Sequence, residues 1–530
     1  MEPALFASRA GPPACRAGDA WLHSQFDPSR EAERFAAASL GGGRPPAVVI
    51  LGPCLDYLGK AVRRLVPKAT LISIQHSSFF RGKEVFDADY RWYPDSTMGI
   101  DSFLDSAIGD DSVSGIAVLS WPPAEIAFPE ESRAAANALR SSLDRLASSS
   151  ATVKAFGRRW IANACRNFLL AESALSCGAS EAPAVVAAAG PTLASSLREI
   201  APSRGSFVLI AVSSALEACR AACLEPDLVV ATDGGNWSRL HLYPLSSSRA
   251  PIASPLTSLP SASLSRGSSF LFIHQGGFAE SELIPRLGAA SGSILPLPPH
   301  GTVSGTALLL ASRLCAGPII AAGLDLASRG DLDHARPHGF DPLSSISSGR
   351  LRTEEGNRWT RAIESAPDQL PTRPWRISRS LSAYASGLDA SMRPFEGRLF
   401  RLNPSPVPLS SFADIDRSGF RALLGPSLKG AAPSLSASAH PLPARSSREA
   451  SLRIALSEWR DLAAEASAGL ASGRPVEDAR VAELLRSIDI VDYAAARRAI
   501  ATDGDPEPTA RELGRRADHF ISDLMERLIP

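Results

Sequence analysis

A chain of 530 residues is too long for one ordinary core, and at roughly 100–200 residues per domain it divides into about three. Its 55 basic and 55 acidic side chains cancel, so no global field draws it to nucleic acid or to an anionic membrane. The 7 cysteines at irregular spacings suit reduced thiols, and no apolar run reads as a signal peptide or a membrane span, so a cytoplasmic location is expected.

The first recognisable segment is Trp21-Leu22-His23-Ser24-Gln25-Phe26-Asp27-Pro28, which runs into a proline-opened segment of helical spacing over 29–35. Beyond Gly41, Gly42 and Gly43, the apolar run 47–51 predicts a buried strand, 57–66 a helix and 70–74 a second strand. With a further strand at 116–120, residues 1–150 are expected to form a small N-terminal α/β domain. Residues 151–181 then read as a helical connector carrying Asn163 and, one turn on, Asn167.

The most regular stretch follows. Strands at 184–189, 207–212 and 228–232 alternate with helices ending near 200 and 223, the second carrying Cys219 and Cys223. A helix over 305–314 and a strand over 318–322 repeat the pattern. Strands alternating with helices predict a Rossmann-like, doubly wound parallel sheet over 182–424. Residues 425–447, dense in Pro, Ser and Ala, read as a linker. Ser446 and Glu449 have capping-box spacing ahead of a C-terminal helical domain over 448–530. The expected fold class is therefore α/β, with smaller domains on both sides of the sheet.

Candidate chemistry gathers at strand ends. The strand at 184–189 runs into Gly190-Pro191-Thr192-Leu193, where small residues let backbone approach a ligand and a helix begins, so outward-facing N–H groups are expected to favour a phosphate. The next two strands end at Ser213 and Ser214, and at Asp233; ligands of open α/β sheets bind at this edge, although each residue also suits a helix cap. Farther on, Thr302, Ser304 and Gly305 open an apolar helix, and Asp325 follows the strand at 318–322. A polar run then carries Asp331, Asp333, His334 and His338. Pro337 removes the common helical face that a histidine metal pair would need, so no metal site is expected. A loop histidine, ordinarily titrating near ~6.5, suits proton acceptance from a hydroxyl.

The stretch 184–193, the Pro226-Asp227 step before a strand ending at Asp233, and the segment 304–327 finishing Gly323-Leu324-Asp325-Leu326-Ala327 resemble the motility accessory factor (Maf, DUF115) family. His23-Ser24 with Asp27-Pro28 and Glu31-Ala32, the Asn163 and Asn167 pair, and Tyr384 before Arg398-Leu399-Phe400-Arg401-Leu402 extend the resemblance over most of residues 20–420. It implies a glycosyltransferase that attaches a nonulosonic acid, such as pseudaminic or legionaminic acid, to Ser or Thr of flagellin. A sialyltransferase-like central domain would bind the CMP-linked donor, with no cofactor required. Gly190, Pro191, Thr192 and Leu193, then Ser213, then Ser304 and Gly305 match the positions that contact the nucleotide in such enzymes. Either His334 or His338 matches the base by position. Thr192 stands where Ser is usual, Leu324 where Gln is common, and Gly234 where Pro is frequent. Two alternatives accompany this reading. One is an MptE-like 6-hydroxymethylpterin diphosphokinase that uses ATP, with magnesium on Asp233 and Asp325. The other is a non-catalytic flagellin-binding factor.

Overall fold

The computed structural model describes residues 2–109, 115–243, 250–258, 269–424 and 435–529. The chain forms two compact units, Met1–Gly157 with Glu458–Asp523 and Arg158–Ser457 with Leu524–Pro530. This division differs from the expected one of 1–150, 151–181, 182–424, 425–447 and 448–530, because most of the C-terminal helical region joins the N-terminal segment in one unit.

In the first unit the strand Ala47–Leu51, buried at every residue, pairs in parallel with Thr70–Ile74 on one side and Ile116–Ser120 on the other. Tyr90–Trp92 extends the sheet beyond Thr70–Ile74. The helix Pro28–Leu40 starts where the sequence places it, and its start explains the residues around it. The Asp27 side chain accepts the Arg30 N–H at 3.0 Å, while the Ser24 N–H donates to Glu31 at 2.7 Å. His23 through Glu31 is thus a helix entry whose orphan donors are met by side chains. An antiparallel ribbon of Pro3–Ala7, Pro13–Ala17 and Ala20–Trp21, which the sequence pattern does not announce, precedes it.

The second unit is built on a nine-stranded sheet. Its strands are β1 Ala184–Ala187, β2 Val208–Val212, β3 Leu228–Val230, β4 Ile252–Ser254, β5 Phe270–His274, β6 Leu295–Pro296, β7 Ile319–Ala322, β8 Leu399–Leu402 and β9 Ala413–Ile415. The order across the sheet is β6-β5-β4-β3-β2-β1-β7-β8-β9, and every neighbouring pair is parallel. Strands β1, β2 and β7 are buried at every residue, which is why they read as unbroken apolar runs rather than alternating ones. The fold class expected from the sequence is the fold found.

The chain walks from β1 outward to β6, returns along helix α2 (Val303–Leu314), and continues from β7 in the opposite direction. The reversal lies between β1 and β7, where helix α1 (Leu193–Ile200) also begins. Loops that leave a sheet in opposite directions open a crevice at such a reversal. Ala187 stands beside both Ala211 and Ala322, so the three central strands end level.

Three local expectations change. Residues 425–434 of the expected linker lie outside the described residues, but Ala437–Pro441 is an edge strand antiparallel to Ser173–Cys177. The following helix starts at Arg445, so Ser446 sits inside its first turn and not at its cap. Cys223 falls beyond the helix Leu216–Ala221 with φ 56°, off the helical face of Cys219. Among the described residues, no helix is long and apolar enough to cross a membrane.

Candidate active site

The Gly190 turn sits at the reversal, and hydrogen bonds hold it across to β7. The Gly190 N–H donates to Gly323 O at 2.8 Å, and Leu193 N–H to Gly190 O at 3.0 Å. Thr192 donates twice to Asp325, from its N–H at 2.7 Å and its hydroxyl at 2.9 Å. Pro191 has no N–H to give. The expectation of outward-facing donors from Gly190 to Leu193 is therefore corrected: the turn's amides are spent within the fold. Gly190 itself is required by this packing, since a Cβ there would lie 2.5 Å from both Asp325 Oδ2 and Gly323 O. A larger residue at 190 would damage the turn before it could obstruct a ligand.

Asp325 is accordingly a clasp for the turn and not a group offered to a ligand. It is 1% exposed, and burial pushes its carboxyl up to about 6 despite the Thr192 bonds and the nearby Arg401 and Arg329 charges. Leu324, where the family resemblance leads one to expect Gln, is buried with it.

Ser213 and Ser214 begin a short 3-10 turn at the end of β2, Ser213 buried and Ser214 half-buried. Asp233, past the end of β3, is exposed, and its carboxylate accepts the Gly235 N–H at 2.7 Å. Helix α2 packs on β1, β2, β3 and β7, and because it runs antiparallel to them its N-terminus lies at the same edge. Thr302 caps that end, accepting the Gly305 N–H at 3.0 Å, so its hydroxyl is engaged as a cap while Ser304 stays half-exposed. Gly305 is needed because the His300 ring covers it.

The histidine loop reaches the same place. The Ala335 N–H donates to Ala189 O at 2.9 Å, which fastens the segment carrying His334 and His338 directly beside the Gly190 turn. Around it stands a third histidine that the sequence reading missed. The His241 ring centroid is 4.8 Å from that of His338, which is in turn 4.8 Å from that of His334. Phe340 closes the group at 4.4 Å from His241. Burial, followed by the neighbouring His334 and His241, drives His338 down to about 3. Burial and His334 hold His241 at about 4, against the pull of Asp233. His338 Nδ1 accepts the Phe340 N–H at 3.4 Å, and its buried Nε2 has no hydrogen-bond partner among the described residues. His334 is half-exposed, with Nδ1 3.6 Å from an oxygen of Asp333. Partial burial raises the Asp333 carboxyl, but His334 outweighs it and brings it to about 2.

Beside these rings opens a cavity of about 260 Å³. The loop 331–341 supplies most of its wall, Ser344 of helix α3 (Asp341–Ile346) and Arg358 and Arg361 of helix α4 (Glu354–Ser365) the rest. Gly190, Ser213 and Ser304 do not line it; the cavity and the strand-end crevice adjoin through the Ala189–Ala335 bond.

A polar mesh keeps the strand ends level. Asn167 donates to Leu256 O at 2.8 Å and Ser258 O at 2.7 Å, while Asn163 donates to Gly234 O and Thr257 O at 3.2 and 3.1 Å. Glu280, wholly buried and pushed by that burial to about 7, accepts from the Thr257 and Gln275 N–H groups. Gln275 in turn donates to Thr306 of α2 at 3.1 Å. The only sequence signal for Glu280 and Gln275 was their place after an unassigned strand, and for His241 a lone histidine in the loop that follows Asp233. Among the described residues no three His, Cys, Asp or Glu side chains group as a metal site.

Comparisons with known proteins agree with this architecture. Residues 159–331 match the family model for 6-hydroxymethylpterin diphosphokinase MptE-like proteins. An uncharacterized protein of Treponema pallidum (strain Nichols) is 28% identical over 283 residues, 52% of this chain. The match spans 62% of that relative's length. The solved Maf glycosyltransferase of Magnetospirillum magneticum AMB-1 superposes with a TM-score of 0.60 at 10% identity, covering 100% of this chain and 91% of that one. The chain carries an MptE-like domain and shares the fold of the Maf glycosyltransferase, in line with the resemblance drawn from its sequence.

Proposed function

We propose that this chain, with an MptE-like domain at its centre and a Maf-type fold around it, is a glycosyltransferase that moves a nonulosonic acid from CMP to a Ser or Thr hydroxyl of flagellin. The observation that carries this reading is the Ala335–Ala189 bond, which sets a histidine loop on the same strand-end edge as Gly190, Ser213 and Ser304. The nucleotide lies over the ends of β1 and β2, with the Gly190 turn as its floor. Ser213, Ser214 and Ser304 offer hydroxyls, and the N-terminal dipole of α2 favours the phosphate.

His334 is the base. It is half-exposed and lines the cavity, and Asp333 beside its Nδ1 favours the tautomer that leaves Nε2 free to accept. The acceptor oxygen bonds to the anomeric carbon as the bond from that carbon to the phosphate oxygen breaks. The hydroxyl proton passes to His334 Nε2, and CMP departs with the electron pair. His338, buried and neutral, is a positioning residue. A flagellin acceptor met before export places this reaction in the cytoplasm.

The magnesium-dependent kinase reading would need Asp233 and Asp325 as ligands. Both Asp325 oxygens are engaged by Thr192, which favours transfer from CMP. Titration calorimetry with CMP and with ATP, each with and without magnesium, decides between them. CMP is expected to bind without the metal; ATP binding that depends on magnesium, with no uptake of CMP, overturns the proposal. Intact-mass measurement of flagellin from a strain lacking this protein tests the acceptor, and an unchanged mass removes flagellin from that role.

A further inference from the structure

The arginines around the cavity pair with carboxylates, with one exception. Arg336 reaches Asp341 at 2.7 Å and Glu354 at 2.8 Å, and Arg358 reaches Asp331 at 2.8 Å and Glu354 at 3.1 Å. Asp333 faces His334 Nδ1 at 3.6 Å, an ion pair only when the imidazole carries a proton. Arg361 lines the same wall, yet its Nη2 donates only to Ser344 Oγ, at 3.3 Å, and among the described residues it has no carboxylate partner. A guanidinium presents a planar fork suited to a carboxylate, and one hydroxyl contact leaves most of that fork unused.

The rest of the wall suits a polyhydroxylated ring. Asp333 is an exposed acceptor-only group for sugar hydroxyls, and Leu332 and Phe340 offer apolar surface to a ring face. The volume of about 260 Å³ lies at the small end of the ~300–1,000 Å³ usual for small-molecule sites, a size that suits a single sugar. The histidine rings stand at its border with the strand-end crevice.

We infer that this cavity is the subsite for the donor's acidic sugar and that Arg361 reads its carboxylate. The inference rests on the transferase reading for the word donor, but the recognition chemistry, an acidic monosaccharide, can be tested without CMP. N-acetylneuraminate and its methyl ester are titrated separately into the full-length protein, and binding is followed by ligand-observed NMR. The free acid is expected to bind about tenfold more tightly than the ester, as one charge-assisted hydrogen-bonded contact implies. Arg361→Met should erase that preference and Arg361→Lys should keep part of it, while CMP affinity stays unchanged in both, which also certifies their fold.

Equal affinity of the wild-type protein for acid and ester overturns the inference, and this comparison stands even if the Met variant fails to fold. An undiminished preference in a folded Arg361→Met variant overturns it too. CMP binding without acid preference sinks the subsite and leaves the transferase reading intact. Acid preference without CMP binding does the reverse.

Discussion

Asp325 shows how a residue chosen from a strand-end pattern can belong to the fold instead of the ligand. Its burial holds the carboxyl at about 6 against an ordinary 3.8, so between those values the folded chain binds this proton more tightly than the unfolded chain. Stability contributed by the group is therefore greatest below pH 3.8 and is lost as pH rises towards 6. The loss is on the order of 3 kcal/mol. Asn at this position still accepts the Thr192 N–H but does not titrate. Urea unfolding of wild type and Asp325→Asn across pH 4 to 7 should show the wild type losing stability relative to the variant as pH rises; a difference that is flat with pH contradicts the assignment. The sequence placed Asp325 at the correct edge because periodicity locates the end of β7. It could not tell that Thr192, more than 130 residues earlier in the chain, would claim both oxygens. His241 was illegible for the matching reason: its neighbours His338 and Phe340 are distant in sequence, and nothing local marks the site.

At the scale of elements, what was legible depended on strand length and burial. The central strands β1, β2 and β7 are runs of Val, Ile, Leu and Ala, β1 and β7 with Pro before and Gly after them, and they appear within two residues of where periodicity puts them. The three residues of β4 lie between Pro251 and Pro255, and β6 has only two residues; neither is long enough to carry a period. The segment that leaves β4 is held from outside, by Asn163 and Asn167 of the helix Pro129–Leu170. Asn167→Ala would leave the Leu256 and Ser258 carbonyls without this donor, at a cost of ~1–3 kcal/mol for each group stranded in the interior. A fall of about 2–6 kcal/mol in urea-unfolding stability is expected. Less than ~0.5 kcal/mol, the scale of an ordinary surface substitution, would mean that water replaces the amide.

At the scale of the molecule, the sequence read in order suggests successive domains, whereas the first unit joins two segments some 300 residues apart. Local patterning finds helices but not which of them meet, because small residues at a crossing look like helix formers of no special purpose. Gly157 is such a residue: a Cβ there would overlap the backbone carbonyl of Ser487, on the helix Ala479–Ala501. The obstacle is main chain, so rotating a side chain cannot relieve it. Gly157→Ala gains intrinsic helix propensity of ~1 kcal/mol, and in an isolated helix it would stabilise. Overpacking at a close crossing costs ~1–3 kcal/mol and outweighs that gain when the backbones cannot separate. Hydrogen exchange in the full-length protein separates the two outcomes. Amides of residues 145–157 and 482–495 are expected to exchange up to about thirtyfold faster in the variant, a factor matching a net loss of ~2 kcal/mol. Slower exchange in both stretches would mean that propensity wins and that the two helices have room to move apart.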